Sequence, residues 1–228
     1  VFLWSIVPGL AVLALLALGL PPDPPAAAAP PPRLSLAVLD PSLRRLVMAA
    51  ALLAVAAVPE VFVVLWARDA GLAVEWIPLL WAAASLAKLA LAYPAGVLSD
   101  RVGRLPLLLA GWTARVVVLV ALAALPVHGA GIWVLFVAYS ATLAVTEAAE
   151  RSLIGDRAPA ALRGTAYGLY HLASGLLVLP GAVLFGLAWE RFGASTAFAA
   201  AAAVTALAAA TMLGVGRQPA DAGRRGDA

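Results

Sequence analysis

The chain has 228 residues, 64% of them hydrophobic and 12% charged, with a formal net charge of +3. Soluble domains carry about 25% charged residues, so this balance, with a mean hydropathy of +0.99, excludes an ordinary soluble protein and predicts an all-α polytopic membrane protein. The basic residues sit in short loops between apolar runs, which excludes nucleic acid as a partner, and the lack of cysteine excludes disulfides and thiolate metal sites.

A membrane helix needs about 20 mostly apolar residues. On that basis the sequence predicts seven spans, at 1–20, 45–67, 76–98, 105–127, 130–150, 165–189 and 193–215. Val1 already lies inside an apolar run, with no basic segment ahead of it of the kind a secretory signal carries. The sequence is therefore expected to lack its N-terminal part. Pro21 to Pro32 is a Pro/Ala tract that cannot form an interior helix and reads as a semi-rigid, polyproline-like linker. Residues 21–42 thus separate the first span from a six-helix bundle over 43–215, and residues 216–228 form a polar tail.

Orientation follows from the placement of Lys and Arg. With the linker in the cytoplasm, every loop arginine except Arg68 and Arg191 falls on the cytoplasmic side, and so does the C-terminus. Lys88 and Arg115 lie well inside spans. Of the fifteen basic residues all but Lys88 are arginine, and with abundant alanine this usage suggests a GC-rich bacterial genome.

Between the third and fourth spans lies Gly96-Val97-Leu98-Ser99-Asp100-Arg101-Val102-Gly103-Arg104. This charged, glycine-bearing turn closely resembles the signature loop of the major facilitator superfamily of transporters. It departs at Leu105, where the family usually has a second basic residue. A second block, Glu147-x-x-Glu150-Arg151 with Asp156 and then Arg163-Gly164-Thr165-Ala166-x-Gly168-Leu169, resembles the loop between the tenth and eleventh helices of bacterial members. The resemblance implies that residues 1–20 are the sixth helix of a twelve-helix transporter, residues 21–42 the loop between halves, and the rest the C-terminal six-helix bundle. It also implies a cytoplasmic gate, in which Gly96, Asp100, Arg101, Gly103, Arg104, Glu147, Glu150 and Arg151 form a charged latch that breaks when the protein opens inward. In the other half of the family the equivalent of Asp100 faces a helix N-terminus from the opposite domain, so Asp100 is expected to be half satisfied here. The plainer alternative is that these charges only fix topology.

Ionisable side chains inside a bilayer are costly and usually face a cavity or a partner. Glu60, Lys88, Arg115 and His171 are the candidates for a cavity or coupling role. At about 1.5 Å per residue, Lys88 lies roughly 18 Å from the cytoplasmic edge at Asp100, and Glu60 roughly 22 Å from Arg45. They are level, on consecutive antiparallel helices and of opposite sign, which predicts a pair or a shared aqueous cavity. A purely structural ion pair is the competing reading. Pro59 loosens the helix before Glu60 and frees a carbonyl, as binding sites in transporters often require. Arg115 is expected to pack or pair more than to touch substrate. His171 either relays protons or hydrogen-bonds a neighbouring helix. Gly164, Gly168 and Gly175 recur at helical spacing and predict close helix packing, suited to sliding against the opposite half.

The two histidines, His128 and His171, fall on different spans, so no metal site is expected. No phosphate loop is present, and neither an enzyme activity nor a cofactor is expected. The resemblance implies secondary transport of a small solute by alternating access, driven by an ion gradient, with protons the usual coupling ion, in the bacterial inner membrane. The mostly apolar pocket residues point to efflux of drugs or other hydrophobic compounds. The expected partners are membrane lipid, a small-molecule substrate, protons and the missing N-terminal half. The alternative is a non-transporting membrane scaffold or an inactive fragment of a transporter.

Overall fold

The computed structural model describes residues 6–19, 39–159 and 162–213, and the chain falls into two compact units, residues 1–32 and 33–228. In the first unit the described residues form one apolar helix, α1 (Ile6–Gly19). It covers most of the predicted span 1–20. Residues 20–38 and 214–228, which include most of the expected linker over 21–42 and all of the expected tail over 216–228, lie outside the described residues.

The second unit starts with α2 (Pro41–Val55), and its beginning is written in three residues. Asp40 accepts the Ser42 amide at 2.7 Å and the Ser42 hydroxyl at 2.8 Å. Pro41, at the first helical position, lacks only an N–H that would have no partner there. The helix stops at Val55 and restarts as α3 (Glu60–Asp69). Pro59 explains the gap: it has no amide hydrogen to continue the ladder and disfavours the helical conformation at Val58. The predicted span 45–67 is therefore two half-helices.

After a 3₁₀ turn at Val74–Trp76 come α4 (Ile77–Val102), α5 (Arg104–Ala124) and α6 (Ala130–Arg157). Gly103 alone separates α4 from α5. Its φ of 91° lies in a region that side chains rarely enter, which is why the tight reversal needs glycine. The last element, α7 (Arg163–Leu213), has 51 residues and would be about 76 Å long if straight, more than twice a bilayer core of about 30 Å. Gly193, with φ 85° and ψ 166°, breaks it into two spans, 163–192 and 194–213. Five helical runs of the second unit are long and apolar enough to cross a membrane. Because the last one is double, the unit holds six spans, and the described residues contain no strand.

Within this unit α2 lies chiefly against α7, α4 against α6, and α5 against both α6 and α7. Two apolar cores result. One gathers Leu43, Leu46, Leu108, Trp112, Ile154 and Met212. The other gathers Val63, Leu80, Leu119, Ile132, Phe136 and Phe198. The helices α5, α6 and α7 cross from one core to the other, while α4 packs into the second core alone, and polar groups lie at the level where the cores meet. These are Lys88 on α4, Arg115 on α5, Ser140, Thr142 and Thr146 on α6, and Thr205 on α7, with the α2–α3 break at the same passage. A polar layer thus divides the bundle.

Close helix approach is made by glycines other than those expected. A Cβ on Gly181 would stand 2.7 Å from the carbonyl oxygens of both Ala54 and Val55, so α7 meets α2 backbone to backbone there. A Cβ on Gly111 would strike the Thr146 methyl. Gly164, Gly168 and Gly175 are exposed, and a Cβ on Gly164 or Gly175 would meet nothing within 4 Å. Their spacing puts them on one face of α7, but the bundle packs through the opposite face.

Candidate functional site

The polar layer is built around the interruption between α2 and α3. The Val58 carbonyl, which the break leaves without a helical donor, accepts a hydrogen bond of 2.6 Å from the buried Tyr139 hydroxyl on α6. A buried carbonyl without a partner would be costly, and Tyr139 removes that penalty. Two residues on, Glu60 Oε1 accepts from Lys88 Nζ at 2.7 Å and from Ser140 Oγ at 2.8 Å. The carboxylate therefore ties α3 to α4 and α6. Its side chain is only 16% exposed and that of Lys88 34%, so the pair is shielded but reachable from outside. The structure brings together the two mid-span charges that the sequence placed level.

A second polar group lies nearer the α6 C-terminus. Trp112 Nε1 on α5 donates to Glu150 Oε1 at 3.0 Å, and the Tyr170 hydroxyl on α7 donates to Glu150 Oε2 at 2.9 Å. Arg115, one turn along α5 from Trp112, donates through Nη2 to Thr146 Oγ1 at 2.8 Å. Thr146 in turn donates to the Thr142 carbonyl. The Arg115 Nε is buried and has no partner among the described residues. Arg115, Thr146, Glu150, Tyr170 and Ser174 line a cleft of about 290 Å³, with Ala50, Leu53 and Ala54 of α2 as its apolar wall. Glu150 was expected in the cytoplasmic latch, but its side chain turns into the bundle and away from Arg151.

The remaining latch residues are only partly assembled. Arg151 pairs with Glu147 at 2.6 Å, one helical turn apart. Arg104 pairs with Asp156 and donates to the Ser152 carbonyl at 2.8 Å, joining α5 to the end of α6. Asp100 and Arg101 are exposed and form no ion pair among the described residues. Gly96, Asp100 and Arg104 border a hollow of about 230 Å³ beside Ala149 and Ser152. His171 is exposed, its ring edge-on to Tyr170 at 5.1 Å, and it has no hydrogen bond to a neighbouring helix among the described residues.

Trp112, Tyr139, Ser140, Thr146 and Tyr170 were not singled out from the sequence. Each is an ordinary residue for a membrane helix, and its importance comes from facing a charge or free carbonyl on another helix. The usable signal was weak: a buried carboxylate must find donors, and indole and phenol groups supply them without adding charge.

Membrane-length helices with a polar layer through their middle and ion pairs at one end define a polytopic membrane protein. Residues 46–227 match the model of the Major Facilitator Superfamily, and the chain belongs to that family of secondary transporters. No curated protein matches the chain.

Proposed function

We propose that the protein is a proton-coupled secondary transporter that moves a small solute across the bacterial inner membrane by alternating access. The observation carrying this reading is the Glu60–Lys88–Ser140 group at the helix break. A shielded carboxylate and ammonium at mid-span are expensive in a bilayer, and such groups mark solute or ion pathways. Half-helices abutting such charges are a recurrent way to expose backbone groups to cargo.

In this reading Arg104–Asp156 and Arg151–Glu147 form the cytoplasmic latch, parting as the bundle rocks, and Asp100 and Arg101 await a partner from an N-terminal half. The C-terminus is cytoplasmic. The exposed face of α7 that carries Gly164, Gly168 and Gly175 is where that half slides. The competing reading of cargo is export of apolar compounds, which draws on the apolar α2 wall of the cleft.

Flux into or out of proteoliposomes under imposed pH gradients, over a panel of solutes, tests the proposal. Gradient-driven movement is expected, and Glu60→Gln should abolish its dependence on the gradient. Absence of flux for every solute would instead favour a non-transporting scaffold. Unaltered transport by both Glu60→Gln and Lys88→Ala would remove the coupling role from this pair.

A further inference from the structure

Arg115 and Glu150 face the same cleft with opposite charges, yet they do not pair. The ion pairs among the described residues are Lys88–Glu60, Arg104–Asp156 and Arg151–Glu147. Each of the two is instead held by uncharged groups from other positions: Glu150 by Trp112 and Tyr170, Arg115 by Thr146. Opposite charges in a partly buried site attract strongly, and long side chains normally close such a gap. Here the indole and phenol fix the carboxylate while the threonine fixes the guanidinium, so the separation is built in.

The other acid lining the cleft, Glu147, is already neutralised by Arg151 at 2.6 Å. The cleft therefore offers its contents one negative and one positive charge, set apart, with no net excess. Each Glu150 oxygen receives one hydrogen bond and has lone-pair capacity for another. Arg115 uses one donor on Thr146, and its Nε has none to serve. A planar guanidinium with spare donors suits a carboxylate. An ammonium, a compact triple donor, suits the carboxylate of Glu150. Ala50, Leu53 and Ala54 line the same cleft with apolar surface, and its volume of about 290 Å³ suits a small molecule.

We propose that this cleft binds a small zwitterion, its ammonium at Glu150, its carboxylate at Arg115 and an apolar body along α2. The proposal rests on the transport reading for the purpose of the site, while binding itself can be measured without flux. A singly charged ligand would leave one of the two cleft charges desolvated and unanswered, a penalty that selects against it.

Calorimetric titration of the protein in lipid nanodiscs with leucine, leucine methyl ester and N-acetyl-leucine separates the charge types on one apolar side chain. Leucine is expected to bind at least about tenfold more tightly than either derivative, the margin of one lost charge-assisted contact. Glu150→Gln should weaken leucine about tenfold while leaving N-acetyl-leucine within about twofold, and Arg115→Gln should do the converse with the methyl ester. The comparison of three probes on the unsubstituted protein needs no variant to fold. Equal binding of all three probes, no binding of leucine, or affinities untouched by both substitutions would overturn the proposal. Flux of other solutes without leucine binding sinks this inference alone, whereas leucine binding without flux of any solute sinks the transport reading alone.

Discussion

Lys88 and Glu60, 28 positions apart in the chain, meet at 2.7 Å between Nζ and Oε1. The contact spans α4 and the first residue of α3, so it locks the restart of a broken helix to its neighbour. Ser140 adds a third helix through the same oxygen. The pair is therefore both the charge centre of the polar layer and a joint on which the break depends.

Removing one partner of a shielded pair leaves the other uncompensated. A fully buried pair would lose about 3–5 kcal/mol, but Lys88 is 34% exposed. Lys88→Ala should accordingly destabilise the protein by about 1–2 kcal/mol. The double variant Glu60→Gln with Lys88→Ala should lose less than the sum of the changes in Glu60→Gln and Lys88→Ala. Thermal unfolding of the four proteins in one detergent measures the coupling, and strict additivity would show that the contact contributes nothing.

The break itself depends on Tyr139. Tyr139→Phe keeps the ring but leaves the Val58 carbonyl without its 2.6 Å donor. The expected loss is about 1–3 kcal/mol, the penalty for a buried unsatisfied acceptor. Chemical unfolding at fixed lipid composition reads it, and a Tyr139→Phe protein of full stability would mean that the carbonyl finds another donor.

Gly181 and Gly175 should respond oppositely to the same change. Gly181→Ala forces a methyl group to within 2.7 Å of two carbonyl oxygens on α2, and a loss of about 1–3 kcal/mol is expected. Gly175→Ala meets open space and should gain up to about 1 kcal/mol from helix propensity. Melting temperatures of both variants decide the matter in one experiment.

Asp40 gives a pH dependence outside the spans. Burial pushes its carboxyl up, but the Ser42 amide and hydroxyl, the Leu43 amide and the charge of Arg157 outweigh it and hold it below the ordinary value. A carboxylate lowered on folding contributes stability that is fully present above the unfolded value of about 3.9. That contribution is lost as pH falls through the lower folded value. Asp40→Ala should lose about 0.5–2 kcal/mol at pH 7. Asp40→Asn, which caps without titrating, should not share the acid-side loss when unfolding is followed from pH 7 downward.

The absence of native cysteine makes topology directly measurable. Single cysteines introduced by Ser99→Cys at the end of α4 and by Ala130→Cys at the start of α6 bracket one complete span, α5. An impermeant maleimide applied to inside-out vesicles should label the first and spare the second. Labelling of both from the same face would undo the membrane arrangement.

The sequence by itself determined the spans, because twenty-residue apolar runs have few alternatives to crossing lipid. It also determined the turn at Gly103, whereas the full break at Pro59, inside an expected continuous span, and the kink at Gly193 came only with the structure. The level placement of Glu60 and Lys88 followed from helix rise alone. Only the tertiary structure decided which way each side chain faces. A helix repeat fixes which residues share a face but leaves that face free to turn toward any neighbour. That freedom is why Glu150 could be expected at the latch and be found between Trp112 and Tyr170, and why Gly181 makes the close approach that the evenly spaced Gly164, Gly168 and Gly175 do not. The rotation of each helix is set by the summed packing of two apolar cores, a property of all the spans together that no single stretch contains.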